Sequence, residues 1–140
     1  MLTSGKISEN ARSNRRQLQG VAAAFSALGD PNRLRIVLAL RQGELCVCQI
    51  VALLELANST VSRHLQIIRE TGIIESYKQG RWVYYRMATS DEGATLVRAL
   101  LPMLSLAEAS AQAAADARRL ARIQRINPEE LCRTQLTQVK

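Results

Sequence analysis

Cys46 and Cys48 are the residues in this chain whose type and spacing best suit chemistry; they lie in the run Glu44-Leu45-Cys46-Val47-Cys48. A thiolate is both the nucleophilic and the metal-binding form of cysteine. Two of them, with no histidine or carboxylate cluster alongside, suit a soft, thiophilic guest: trivalent arsenic or antimony, monovalent copper, mercury, or an oxidant. Tetrahedral zinc asks for four ligands, and the C-x-x-C spacing that often supplies them is missing. The pair sits around the start of a predicted helix, where backbone N–H groups and the helix dipole favour the thiolate and lower its pKa. In a regular helix, positions i and i+2 point about 200° apart. Both sulfurs can therefore grip one atom only where the backbone is not helical or ceases to be so on binding. The bland alternative is two small buried hydrophobes.

The third cysteine is Cys132. An odd count in a chain with no apolar leader argues against a disulfide framework. Cys132 lies in the C-terminal tail and reads as an unrelated tail thiol.

The elements that must position these residues follow from periodicity and punctuation. Residues 1–14 are polar and read as a flexible tail. From Arg15 to Leu28, apolar residues at Leu18, Val21, Ala22, Phe25 and Leu28 fill one helical face. Gly29 ends that helix, and Asp30-Pro31 starts the next, with Asp as N-cap and Pro at the first helical position. It runs to Gly43. Glu44 to Val47 reads as a short extended piece, and a helix follows from about Cys48 to Leu56. Asn58-Ser59 supplies an N-cap signal for a helix of about Ser59 to Glu70. Ile73–Tyr77 and Arg81–Met87 read as strands around Lys78-Gln79-Gly80. Residues 91–124 are rich in Ala and Leu and helical, with Pro102 placed to kink or divide them. From Asn127 to Lys140 the chain reads as loosely ordered. The domain thus spans 15–124, with tails at 1–14 and 125–140.

Two short helices and a basic hairpin make a winged helix-turn-helix. On the second helix, Val61, Leu65 and Ile68 share one face and must be buried. Ser59, Thr60, Ser62, Arg63, Gln66 and Arg69 carry the hydroxyl, amide and guanidinium groups that reach phosphates and base edges. Lys78, Gln79 and Arg81 gather at the hairpin tip. Each set alone is equally a solvated surface; together they point to DNA. The net charge of +7 agrees with that partner. His64, the single histidine, lies at the flank of the buried face. It reads first as a packed, hydrogen-bonded residue, second as a phosphate contact, and last as a metal ligand.

With 140 residues and aromatics at only 4%, the composition suits one aliphatic, mainly helical domain. No apolar run is long enough for a membrane span, and no signal-peptide core is present, so the expected location is the cytoplasm.

Residues 20–88 resemble the ArsR/SmtB family of metal- and metalloid-responsive repressors. The resemblance rests on Ala27-Leu28-Gly29-Asp30-Pro31-Asn32-Arg33-Leu34-Arg35-Ile36, on Glu44-Leu45-Cys46-Val47-Cys48, on Ser62-Arg63-His64-Leu65, and on Lys78-Gln79-Gly80-Arg81-Trp82-Val83-Tyr84-Tyr85-Arg86. It implies a homodimer joined through the first and last long helices, about 15–28 and 93–124. It implies binding to double-stranded operator DNA and release by trivalent arsenic or antimony, with no constitutive cofactor and no catalysis. Cys46 and Cys48 match the family's first two metalloid cysteines, and Ser62, Arg63 and His64 its recognition-helix signature. The family's third cysteine falls at Val51 and its Asp at Gln49. A three-thiolate site would therefore need Cys132, whereas a mono-organic trivalent arsenical, with two exchangeable positions, suits two thiols. Residues 91–124 contain no histidine, which excludes the family's zinc- or cobalt-sensing site on the last helix.

Three other readings compete. One is a redox or persulfide sensor in which Cys46 or Cys48 pairs oxidatively with Cys132. Another is a small thiol enzyme such as an arsenate reductase, disfavoured because no Gly-rich anion cradle follows the cysteines. The third is a nucleoid-like DNA binder with incidental thiols, whose binding would depend steeply on salt.

Overall fold

The computed structural model describes the backbone of residues 4–137 and the side chains of residues 15–135. Its elements run α1 Ser4–Leu28, α2 Pro31–Gln42, β1 Leu45–Cys46, α3 Val47–Leu54, α4 Asn58–Glu70, β2 Ile74–Gln79, β3 Trp82–Met87, α5 Asp91–Glu108, α6 Ala111–Ile123 and α7 Pro128–Thr137. This is the winged helix-turn-helix that the periodicity predicts: mainly α, with a small antiparallel sheet in the order β1-β3-β2.

Asp30 caps α2 as its position requires, accepting from the N–H groups of Asn32 at 2.8 Å and Arg33 at 3.2 Å. That satisfies donors that the first helical turn leaves free. The core forms where α2, α3 and α4 meet: Ile36, Val37, Leu53, Val61, Leu65 and Ile68 are fully buried. Glu55 closes α3 in the left-handed conformation (φ 56°, ψ 36°) and turns the chain into α4. Gly93 lets the start of α5 sit on the corner after α4, for a Cβ there would lie 2.4 Å from the Gly72 carbonyl oxygen.

Four expectations change. The N-terminal tail over 4–14 is the first part of α1; residues 1–3 lie outside the described residues. The long C-terminal helix does divide, but at Ala109-Ser110 and not at Pro102, which stays inside α5. Ser110 caps α6 by accepting from the Ala113 N–H at 3.1 Å, and the two helices meet at 90°. No single described helix is long and apolar enough to cross a membrane. The segment expected to be a loose tail forms α7, begun by Asn127, whose side chain accepts from the Glu129 N–H at 2.9 Å. Finally, Ala57 is the N-cap of α4, and Asn58 is already helical.

Helix α6 turns back onto its own chain. Leu120 and Ile123 are buried there. Arg35 on α2 grips Asp116 on α6 with two hydrogen bonds, 2.8 and 3.0 Å. Asp116 also accepts from Gln112 at 2.9 Å, so this nearly buried carboxylate is fully engaged. Arg119 pairs with Glu55, and Arg41 with Glu108. Most of the large exposed apolar side chains lie elsewhere: Leu18, Val21 and Phe25 on α1, and Met103 and Leu106 on α5, with Val83 on β3 and Ile126 after α6 the others described. The apolar face foreseen over 15–28 is therefore turned mostly away from the chain's own core, which takes Ala24, Ala27 and Leu28 from the described side chains of this helix.

Candidate nucleic-acid interface and thiol site

Helix α4 divides its faces as its spacing dictates. Val61, Leu65 and Ile68 are 0% exposed. Ser59, Thr60, Ser62, Arg63, Gln66 and Arg69 are all exposed. Gln66 donates to Glu70 at 3.3 Å, and Arg69 donates to Ser76 on β2 at 3.0 Å. Ser59, Thr60, Ser62 and Arg63 make no side-chain hydrogen bond or ion pair among the described residues. They form a polar row at the N-terminal end of an exposed helix, where base-reading side chains are usually found.

The hairpin turn is tighter than Lys78-Gln79-Gly80. Gln79 pairs with Trp82, so the two central residues are Gly80 and Arg81. Gly80 takes φ 63°, a conformation that costs glycine little. Lys78, Gln79 and Arg81 are exposed at this tip.

His64 is half-buried. Its Nδ1 lies 3.2 Å from Nη1 of Arg33. A guanidinium only donates, so Nδ1 accepts, which puts the ring proton on Nε2. Arg33 also donates to the carbonyl oxygens of Ala27 at 2.5 Å and Ser26 at 3.5 Å. One guanidinium thus joins the end of α1 to α2 and α4. His64 is thus half-buried and hydrogen-bonded to Arg33.

At the thiol site, Cys46 is the N-cap of α3, extended at φ −79°, ψ 158°. It is also the second residue of β1, paired with Tyr84. Cys48 is two residues into the helix. The structure joins Cys48 to Cys132 as a disulfide, with Cα atoms 5.3 Å apart across 84 residues of sequence. This corrects two expectations: Cys132 is not an unrelated tail thiol, and the odd count of cysteines does not exclude a disulfide. The reason is α7, which packs against α3 and brings Cys132 to the first turn. Cys46 is left as a free, buried cysteine. Among the described residues, no group of three or more His, Cys, Asp or Glu is arranged to hold a metal ion. The three cysteines are therefore not gathered into one ligand set.

Residues outside the predicted set complete the site. Gln49 accepts from the Cys46 N–H at 3.0 Å, and Gln135 donates to the Cys48 carbonyl at 2.7 Å. Gln49 could have been found as the third helical residue after the N-cap, a position where Glu and Gln reach back to the cap. Glu44 precedes β1 and accepts from the Tyr77 hydroxyl on β2. Its other oxygen lies 3.6 Å from Arg86 on β3. Arg86 donates to Glu75 at 2.7 Å, and its guanidinium lies 4.8 Å from the Tyr77 ring centroid. Tyr77 stacks on Tyr84, with centroids 5.6 Å apart.

Hydrogen bonding sets the charges here. The bond to Glu44 raises the Tyr77 pKa, with burial adding to it. Hydrogen bonds from Arg86 and Thr89 hold Glu75 below the usual carboxylate range. The bond to Glu75 raises Arg86.

A family profile described as bacterial regulatory protein, arsR family, matches residues 30–76, from the N-cap of α2 into the wing. The chain is 47% identical over 64 residues to the arsenic resistance transcriptional regulator ArsR1 of Pseudomonas putida, covering 45% of this chain and 50% of that one. It is 42% identical over 66 residues to the cadmium resistance transcriptional regulatory protein CadC of Listeria innocua, covering 46% and 56%. It is 42% identical over 65 residues to MJ1325 of Methanocaldococcus jannaschii, an HTH-type transcriptional regulator, covering 46% and 73%. The chain thus spans about half the length of the first two relatives. A solved structure from Mycobacterium bovis superimposes with a TM-score of 0.57 at 29% identity, covering 67% of this chain and 83% of that one. It is a homodimeric winged helix-turn-helix DNA-binding domain of a possible ArsR-family regulator.

Proposed function

We propose, for a chain that belongs to the arsR family of bacterial regulatory proteins, a transcriptional repressor that binds operator DNA as a homodimer and is released when trivalent arsenic or antimony engages its cysteine thiolates. One observation carries this reading. The helix that bears Cys48, and that Cys46 caps, is the helix on which the DNA-reading α4 rests. Chemistry at the sulfurs therefore acts one helix away from the base-reading row. The arsenic resistance relative supports this choice of inducer, and the CadC relative makes cadmium the control ion.

The apolar side chains exposed on α1 and α5 supply the surface for a second copy, since α6 is occupied by its own chain. A dimer would read an inverted repeat whose half-site centres lie roughly 34–36 Å, or a multiple of that, apart.

Once reduced, Cys48 and Cys132 form a dithiol at the junction of α3 and α7, and Cys46, the N-cap of α3, is a third thiol, free and buried. Two thiols fill the two exchangeable positions of a mono-organic trivalent arsenical, whereas arsenite on the same pair keeps an oxygen ligand. The extended backbone at Cys46 is the non-helical geometry a guest shared with Cys48 would need.

The test is fluorescence anisotropy of the reduced protein on DNA from its own upstream region, titrated with arsenite, methylarsenite and cadmium. Wild type should be released by the arsenicals, with methylarsenite the more potent, and Cys48→Ser should be indifferent. Tight binding that ignores every arsenical would remove this inducer, and absence of specific binding would remove the repressor.

The Cys48–Cys132 disulfide favours a second reading, a thiol redox sensor. Hydrogen peroxide would take two electrons and two protons from the dithiol, forming one S–S bond and two waters. Release by peroxide with no response to arsenite would select it.

A further inference from the structure

The outer face of the wing carries a network that neither the base-reading row nor the cysteine pair uses. It matters because of the strand order. β1 bonds to β3 alone, and β2, which carries Lys78 and Gln79 towards the tip, lies beyond it. Glu44, immediately before β1, crosses that gap. Its carboxylate accepts from the Tyr77 hydroxyl on β2 and pairs with Arg86 on β3. Arg86 is held in turn by Glu75 on β2, to which Thr89 also donates at 3.0 Å. Register sets two adjacent rows on one face: Cys46, Tyr84 and Tyr77 in one, with Arg86 and Glu75 in the next beside Glu44. Remove the Glu44 carboxylate and the Tyr77 hydroxyl loses its acceptor, while Arg86 keeps only the partner on its own hairpin.

We propose that Glu44 is a positioning residue that ties the wing to the cysteine-bearing strand, so that a change of thiol state at Cys48 and Cys132 is carried into the pose of Lys78, Gln79 and Arg81. The route is short. Cys48 lies in the first turn of α3, Gln49 of that turn holds the Cys46 N–H, and Cys46 is two residues from Glu44. The functional output of the tie rests on the repressor reading; the tie itself is a property of the free protein and is tested there.

The experiment is amide hydrogen exchange on the full chain without DNA, reduced and then oxidised with diamide. This azo compound accepts the two electrons and two protons that the dithiol gives up and becomes its hydrazine. In the wild type, wing peptides across 74–87 should differ by about threefold or more in exchange rate between the two thiol states. Glu44→Ala should abolish that difference while the Cys48–Cys132 disulfide still forms by thiol counting. Tyr77→Phe, which keeps the stacked ring and deletes only the hydroxyl, should shrink it. Equal wing exchange in both thiol states of the wild type, or an undiminished difference in both variants, would overturn the proposal. Operator binding by anisotropy is scored separately: a wild type that fails to bind DNA counts against the repressor and leaves the exchange result to decide the tie.

Discussion

Helices α4 and α7 both lie against α3, and they are held there by different means. Helix α4 is set into the core by Val61, Leu65 and Ile68, all fully buried. Helix α7 offers half-buried Leu131, buried Cys132 and a hydrogen bond from Gln135. Burial of apolar surface is indifferent to redox state and to soft ions, whereas a sulfur bond is not. Helix α4 is thus anchored unconditionally. The docking of α7 depends in addition on Cys48 and Cys132 being joined, by each other or by a shared guest.

The contrast can be broken most forcefully at its unconditional end. Leu65→Ala deletes a fully buried side chain and should cost about 2–5 kcal/mol. The urea midpoint should fall by the same amount with and without reductant; a loss that depends on reductant would erase the distinction. Next in size is Cys132→Ser. Under oxidising conditions it should be less stable than wild type by about 2–4 kcal/mol, and under reductant the two should coincide. Faster amide exchange confined to α7 would sharpen the picture, and faster exchange spread through α4 would blur it. Smaller again, and of another kind, is Arg63→Ala. It should weaken operator binding by about 1–3 kcal/mol with the urea midpoint unmoved, because the side chain is exposed and has no partner among the described residues.

The smallest effect expected is at the cap of α2. Asp30→Ala should cost about 1 kcal/mol. Burial on its own would raise the Asp30 pKa, but hydrogen bonds from the Arg33 and Asn32 N–H groups outweigh it and leave the carboxyl below its usual 3.8. The folded state therefore favours the carboxylate. Its contribution is present above that value and is lost as pH falls through the lower folded pKa. Wild type and Asp30→Ala should thus differ at neutral pH and converge in strong acid. A gap that persists there would show that the loss is packing rather than capping.

The same division explains what could be read from the sequence. Helix α4 was legible because burial at a period of 3.6 writes its face into the order of residues. The cap of α2 was legible because Asp30-Pro31 is local. Helix α7 is a different case. Its start at Asn127-Pro128 has the same form as Asp30-Pro31, but the residues after it carry too few apolar positions to set a helical face apart from a loose tail. Its docking depends on Cys132 meeting a residue 84 positions earlier, and no local period records that. The break before α6 is marked by Ser110 as its N-cap, and Pro102 is a misleading signal because the interior of α5 accommodates it. The network at Glu44 was hidden for another reason. Glu44, Tyr77 and Arg86 come together only through strand order and register, which a two-residue strand does not announce.

The Cys48–Cys132 link also makes part of the chain a closed ring. α4, the hairpin, α5 and α6 lie wholly inside that ring, while α1, α2 and β1 lie outside it. A protease that cuts the backbone once at any point between the two cysteines leaves a single covalent piece. On a gel run without reductant the nicked protein should migrate near the intact chain, and with reductant it should fall into two fragments whose sizes locate the cut.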